Sequence, residues 1–166
     1  MDPEIHQKMN GMVRNYVLSD EFWEMLDLIA RFLEPMVMTL KLFESDTSTL
    51  STIYFYFKKL MNQISEILCG FSDNIQQLVQ KWWEYSYHSV MIVAYMLDPR
   101  FLEESKNANV EAIGYDEFTK FTSKRFGQEE SVSLFIELVT FRQKNPPYDN
   151  ETIWLSSANL IPSVWW

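Results

Sequence analysis

A chain of 166 residues, 47% apolar and 16% aromatic, has material for one ordinary domain with a packed core, which excludes disorder along its whole length. Its 14 Lys and Arg stand against 23 Asp and Glu, a net charge of −9, so it does not attract a phosphate backbone as a whole; the basic patches Lys58-Lys59 and Lys120 to Arg125 are too short for autonomous DNA binding. One cysteine, Cys69, excludes an internal disulfide, and no apolar run nears the ~20 residues of a membrane span, so no membrane partner is expected.

Taken in chain order, the periodicity is helical throughout. Residues 1–18 read as an N-terminal extension with room for a helix. The first clear helix starts near Ser19, a hydroxyl cap followed by Asp20 and Glu21 at the positive end of the dipole. Leu18 and Trp23 are placed to staple that start. Its apolar stripe is Leu26, Ile29, Leu33, Val37 and Leu40, at steps of three and four, and this is the face expected to enter the core. Pro35 removes the hydrogen bond to the Arg31 carbonyl, so a kink is expected there. The helix is expected to end near Glu44, before Ser45-Asp46-Thr47-Ser48.

The second helix has the cleanest stripe: Leu50, Ile53, Tyr54, Phe57, Leu60, Met61, Ile64, Ile67 and Leu68. Gly70 reads as its C-cap. A third helix opens on Asp73-Asn74-Ile75-Gln76, which resembles a capping box. It carries Ile75, Leu78, Val79 and Trp82 and runs to Asp98, where Pro99 stops it. Its end is apolar all round and is expected to be buried from several sides. Residues 19–104 thus form a bundle of long antiparallel helices. Residues 105–114 read as a polar linker. Residues 115–166 hold shorter helices: about Tyr115–Phe126, closed by Gly127, then Gln128–Gln143, a break at Asn145-Pro146-Pro147, and about Asn150–Ala158. No strand-length alternation and no hairpin turn occurs, so the fold class is all-α.

Little of this chain is arranged for chemistry. His6, His88 and Cys69 lack the spacing of a zinc site, and His88 reads as a satisfied helix histidine. There is no phosphate-cradling glycine loop and no nucleophile elbow. No cofactor is expected. Asp98, Glu103 and Glu104 could be imagined in a two-metal site, but Asp98 before Pro99-Arg100 reads more simply as a partner of Arg100 or of backbone, and the two Glu as solvated face. Trp82-Trp83 cannot both face one core, because neighbours on a helix point about 100° apart. Trp165 and Trp166 read as uncovered rings at a candidate interface, on a chain whose parent continues beyond them.

Several segments, in order, carry a resemblance. Phe22-Trp23-Glu24, Phe32-Leu33-Glu34-Pro35 and Leu42-Phe43-Glu44-Ser45-Asp46 are followed by Thr49-Leu50-Ser51-Thr52-Ile53-Tyr54-Phe55-Tyr56-Phe57. Then come Ala94-Tyr95-Met96-Leu97-Asp98-Pro99-Arg100-Phe101, Phe141-Arg142, Pro146-Pro147, Ile153-Trp154, and Pro162 with Trp165-Trp166. Together they resemble the transposases of the hAT superfamily. The resemblance implies the helical insertion of a ribonuclease-H-like transposase, with Trp23, Glu34, Pro35, Asp98, Pro99 and Arg100 as structural motif residues. It implies that the catalytic Asp/Asp/Glu set lies outside this chain, so the chain is expected to be a non-catalytic fragment and not an enzyme. It implies DNA contact only within a full-length parent, self-association or a protein partner, a C-terminal dimerisation segment mostly beyond Trp166, and a nuclear or cytoplasmic location. The alternative is a domesticated, transposase-derived protein-interaction module.

Overall fold

A computed structural model of the chain describes residue 11, residues 13–67 and residues 69–166. Among them every regular element is helical. A helical stretch over 13–17 precedes α1, which spans Asp20–Phe43. The Ser19 hydroxyl accepts from the Phe22 N–H at 3.3 Å, and Asp20 and Glu21 occupy the first turn as expected. Trp23 turns back across this start, its indole N–H donating to the Val17 carbonyl at 2.8 Å. The helix continues through Pro35 and closes on Glu44.

The face that α1 buries differs from the expected one. Leu26, Ile29, Leu33, Val37 and Leu40 are all between 43% and 51% exposed. Phe32 and Thr39 are buried instead, with Leu28, Met36 and Phe43 packed beside them. The Phe32 ring lies 5.9 Å from that of Phe71, and Phe43 stacks on Phe57 at 6.4 Å. Both faces of α1 repeat at helical period, so spacing alone does not rank them. Phe32 and Phe43 each meet an aromatic partner on the inward side, and the burial of these rings ranks that face over the aliphatic stripe.

α2 spans Leu50–Ser65, capped by the Thr49 hydroxyl, which accepts from the Thr52 N–H at 3.2 Å. Tyr54, Phe57, Leu60, Ile64 and, just past the helix, Ile67 are buried as the stripe predicts, while Leu50 is exposed. The helix closes on Glu66, too early for Gly70 to cap it; Leu68 lies outside the described residues.

The expected third helix is two. α3 spans Ser72–Ser86 and α4 spans Ser89–Leu97. The capping box is not formed: α3 begins at Ser72, behind Phe71, which makes no side-chain cap bond. Tyr87 and His88 take extended backbone, and the His88 Nδ1 accepts from the Val90 N–H at 3.2 Å. A histidine acting as an N-cap restarts the helix in a new direction, which the unbroken apolar pattern concealed. Of the tryptophan pair, Trp83 is buried and Trp82 is 39% exposed, so the two do face different ways.

After 3₁₀ turns at Pro99–Phe101 and Glu104–Lys106, α5 spans Ala108–Phe126. The linker expected over 105–114 is therefore mostly helix. Asn107 caps it, its side-chain oxygen accepting from the Asn109 N–H at 3.0 Å, and Ser105 is fully buried. A polar run there signals a cap and a helical turn, not a loop. Gly127, at φ 91°, closes α5 by donating to the Ser123 carbonyl and leads into α6, Gln128–Arg142. α7 spans Glu151–Ser156 under an Asn150 cap, and α8 spans Pro162–Trp165.

α1 packs on α2, α2 on α3 and α4, α4 on α5, and α5 on α6. α4 is apolar all round because it serves two cores. Ile92 and Tyr95 enter the first, with Tyr54, Phe57 and Trp83; Met96 enters the second, with Phe118 and Leu138. Burial pushes the Tyr54 and Tyr95 hydroxyls up to about 12, with nearby Tyr87 adding to the first and Glu104 to the second. In the unfolded chain both ionise near pH 10, so the stability gained by keeping them neutral is whole below pH 10 and is lost as pH climbs from 10 towards 12. Alkaline unfolding followed by circular dichroism is expected inside that window. Tyr54→Phe with Tyr95→Phe should move the midpoint upward; an unmoved midpoint would mean that other groups drive the transition.

α4 and α5 meet closely at Gly114. A Cβ there would overlap the Met96 sulfur and stand 3.3 Å from Met96 Cγ and Cε. Met96 is 1% exposed, so its side chain can make room only by repacking within the core. Gly114→Ala is expected to cost ~1–2 kcal/mol, the overpacking penalty of ~1–3 kcal/mol reduced by the better helix propensity of alanine. The urea midpoint checks it, and the deficit should shrink when Met96→Ala is added.

Candidate functional site

The C-terminal end of α4 gathers three of the six candidate motif residues, Asp98, Pro99 and Arg100. Asp98 is the residue at which α4 stops, and its extended backbone sends the chain into the Pro99–Phe101 turn. Its carboxylate is 1% exposed. Oδ1 accepts from the Arg100 N–H and Nε, both at 3.0 Å. Oδ2 accepts from the Ser51 hydroxyl at 2.5 Å and from Arg100 Nη2 at 2.7 Å. A buried carboxylate is tolerated when its lone pairs are filled this way, here by a forked guanidinium, a hydroxyl and a backbone donor.

The same cluster reaches the start of α2. Arg100 Nη2 donates to the Thr49 and Thr52 hydroxyls, each at 3.3 Å. Thr49 is the cap of α2, and Ser51 lies in its first turn. One ion pair therefore ties the stop of α4 to the start of α2, across a sequence separation of 47 residues between Ser51 and Asp98. The expected Asp98–Arg100 interaction is present, with salt-bridge geometry at 2.7 Å.

A second buried cluster satisfies one orphan carbonyl at this helix end, that of Met96. Arg142, 2% exposed, closes α6 and points its guanidinium at the last turn of α4. Nη1 donates to the Met96 carbonyl at 3.1 Å and to the Ser105 hydroxyl at 2.9 Å. Nη2 donates to the Ser105 carbonyl at 3.1 Å and to Glu111 at 2.8 Å, and Nε to the Tyr115 hydroxyl at 3.2 Å. Carbonyls at a helix C-terminus carry the negative end of the dipole, so a cation is favoured there. Ser51, Ser105 and Glu111 had not been singled out as candidates. Their partners are 31 to 47 residues away, and no local spacing announces such pairs.

Other motif residues stand apart from this end. Glu34 and Pro35 line an open, mixed-charge groove of about 690 Å³ between α1 and α2, with Arg31, Tyr56, Lys59 and Glu66. Trp23 sits at the start of α1, half exposed. Trp165 and Trp166 are not bare. Trp165 packs on Trp154 with ring centroids 5.0 Å apart and donates to the Ile153 carbonyl at 3.0 Å; Trp166 lies 4.7 Å from the buried Phe141 while remaining 56% exposed. Stacking among Phe141, Tyr148, Trp154 and these two rings covers part of what a sequence position at the end of the chain appears to leave open.

Glu103 is solvated, as expected. Hydrogen bonds from Lys106 and Lys144 draw its carboxyl below the usual range. Among the described residues no group of His, Cys, Asp or Glu comes together in a way that could hold a metal ion, and no helix is long and apolar enough to cross a membrane. Compared with protein-family models, curated proteins and solved structures, the chain matches none of them.

Proposed function

We propose that this chain is the helical, non-catalytic part of a hAT-type transposase, serving fold and assembly in the parent and contributing to DNA transposition only there. One observation carries the reading. The segments Thr49–Thr52 and Leu97–Arg100, which resemble separate family motifs, meet in a single buried hydrogen-bonded cluster, and Phe141-Arg142 of a third segment braces the same helix end. Motifs scattered along a sequence are expected to converge when they hold one fold together. The roles of these side chains are structural, since the Asp98 and Arg142 donors and acceptors are taken up within the protein.

A second reading is a transposase-derived protein-interaction module. It is favoured by the amount of apolar surface that α1 leaves in contact with water. Sequencing the full transcript tests the first against the second. A frame that runs back to two upstream acidic residues and on to a Ser-x-x-Glu-Arg segment supports the transposase reading. A transcript lacking both flanks overturns it and leaves the interaction module.

A further inference from the structure

The outward face of α1 has a regular order of its own. Trp23, Leu26, Ala30, Leu33, Val37 and Leu40 recur at alternating steps of three and four, the a/d repeat of a helix that packs lengthwise against another helix. All of them are exposed. Beside this seam, between α1 and α3, runs an almost wholly apolar groove of about 460 Å³ that includes Ile29, Leu33, Ile75, Leu78 and Trp82.

We propose that the seam is covered by a second copy of this chain, whose α1 lies antiparallel to this one about a two-fold axis between Ala30 and Leu33. The proposal goes beyond the transposase reading and does not rest on it. The sequence of the seam is complementary to itself in that register: Trp23 comes level with Leu40 of the other copy, Leu26 with Val37, and Ala30 with Leu33. Ala30, the smallest, sits at the axis, where two backbones approach most closely. The flank agrees at both ends. Asp20, in the first turn, falls beside the other copy's Lys41, in the last turn, and the two helix dipoles oppose. Nearer the axis Asp27 approaches the other copy's Glu34, with Arg31 between them, so charge fixes the ends of the register and apolar packing its middle.

The area is also sufficient. Leu26, Leu33, Val37 and Leu40 are 44–51% exposed, Trp23 is 50% exposed, and Leu78 and Trp82 on the neighbouring edge are 65% and 39% exposed. At roughly 80–100 Å² for each half-exposed large side chain, the face offers on the order of 700 Å², close to the ~800 Å² per partner of a standard stable interface. An isologous contact closes on itself, so it yields a dimer and not a fibre.

Sedimentation equilibrium of the full chain, in salt that shortens the screening length to about 8 Å, is the test. A reversible monomer–dimer equilibrium is expected. Leu33→Glu places two like charges at the axis and should weaken the dimer at least ~100-fold, with helical circular dichroism retained and Tm unchanged at dilutions where the wild type is monomeric, because Leu33 is 51% exposed in the monomer. Leu155→Glu, at a site 73% exposed on α7, should leave the dimer intact. If Leu33→Glu harms folding, Ala30→Arg asks the same question. In a Cys69→Ser background a short bismaleimide should bridge Ala30→Cys copies but not Leu40→Cys copies, which the antiparallel register holds ~25 Å apart along the axis. A monomer at all concentrations overturns the proposal, as does a dimer that survives both charged variants. Equal bridging at positions 30 and 40 overturns the antiparallel register.

Discussion

Replacing Arg142 by methionine is expected to destabilise the fold by ~3–5 kcal/mol, because it leaves several buried acceptors without a donor at ~1–3 kcal/mol each, while the 32% exposed Glu111 side chain can turn to water. Methionine fills the space of the aliphatic stem, so the loss measures the guanidinium. Without it the Met96 carbonyl, the Ser105 hydroxyl and carbonyl, and one Glu111 oxygen all lose donors at 2.8–3.1 Å. The first three sit where water does not reach easily, since Ser105 is fully buried and Met96 is 1% exposed. Arg142→Lys should recover only a minority of the loss. A single ammonium on a flexible stem cannot donate in the plane to Met96, Ser105 and Glu111 at once. The check is urea unfolding of the three proteins, with Lys120→Met as a surface control whose midpoint stays in place. A change below about 1 kcal/mol for Arg142→Met would mean that the cluster is ornamental and that apolar packing of α4 on α6 holds that end.

The same cluster explains where sequence reasoning reached and where it stopped. The helix starting on Ser19, the stripe from Tyr54 to Ile67, the closing glycine at Gly127 and the burial of the end of α4 from several sides follow from neighbours a few residues away, and all are present. The break at Tyr87-His88 was hidden because a helix that stops and restarts in apolar surroundings keeps its hydrophobic pattern through the break. The start of α5 was hidden for the opposite reason: Asn107, Asn109 and Glu111 look like loop residues until one sees that Asn107 is a cap and that Glu111 pairs with a buried arginine. Spacing points the outward face of α1 at the core because amphipathic periodicity measures that a face exists, not what lies opposite. The Asp98–Arg100 pair was legible from adjacency. That Ser51, Thr49 and Thr52 complete it was not, since only the packing of α2 on α4 brings them there.

Asp98→Ala is expected to cost ~2–4 kcal/mol, less than the loss at Arg142, because it takes the partner from fewer buried polar groups, and Arg100, with 22% of its side chain exposed, can turn part of its charge to water. The buried Ser51 hydroxyl, 2% exposed as a residue, loses its acceptor across the helix pair and keeps only Thr49 Oγ1, 2.7 Å away on its own helix. Asp98→Asn should lose less than alanine but more than half as much. The amide keeps one oxygen for Ser51 or for Arg100, yet presents an NH₂ where the structure needs an acceptor. A double-mutant cycle separates the contributions: Ser51→Ala in the Asp98→Ala background should cost clearly less than in the wild-type background, where ~1 kcal/mol is expected, because only its bond with Thr49 Oγ1 then remains to be lost. Thermal unfolding of the four proteins gives the coupling directly. If the two losses simply add, Ser51 and Asp98 are neighbours without being partners, and the tie between the start of α2 and the stop of α4 must then run through Arg100 and the two threonines alone. The resemblance to a family motif would in that case mark the turn after α4, where Pro99 ends one helix and Arg100 folds back, and not the junction of two helices.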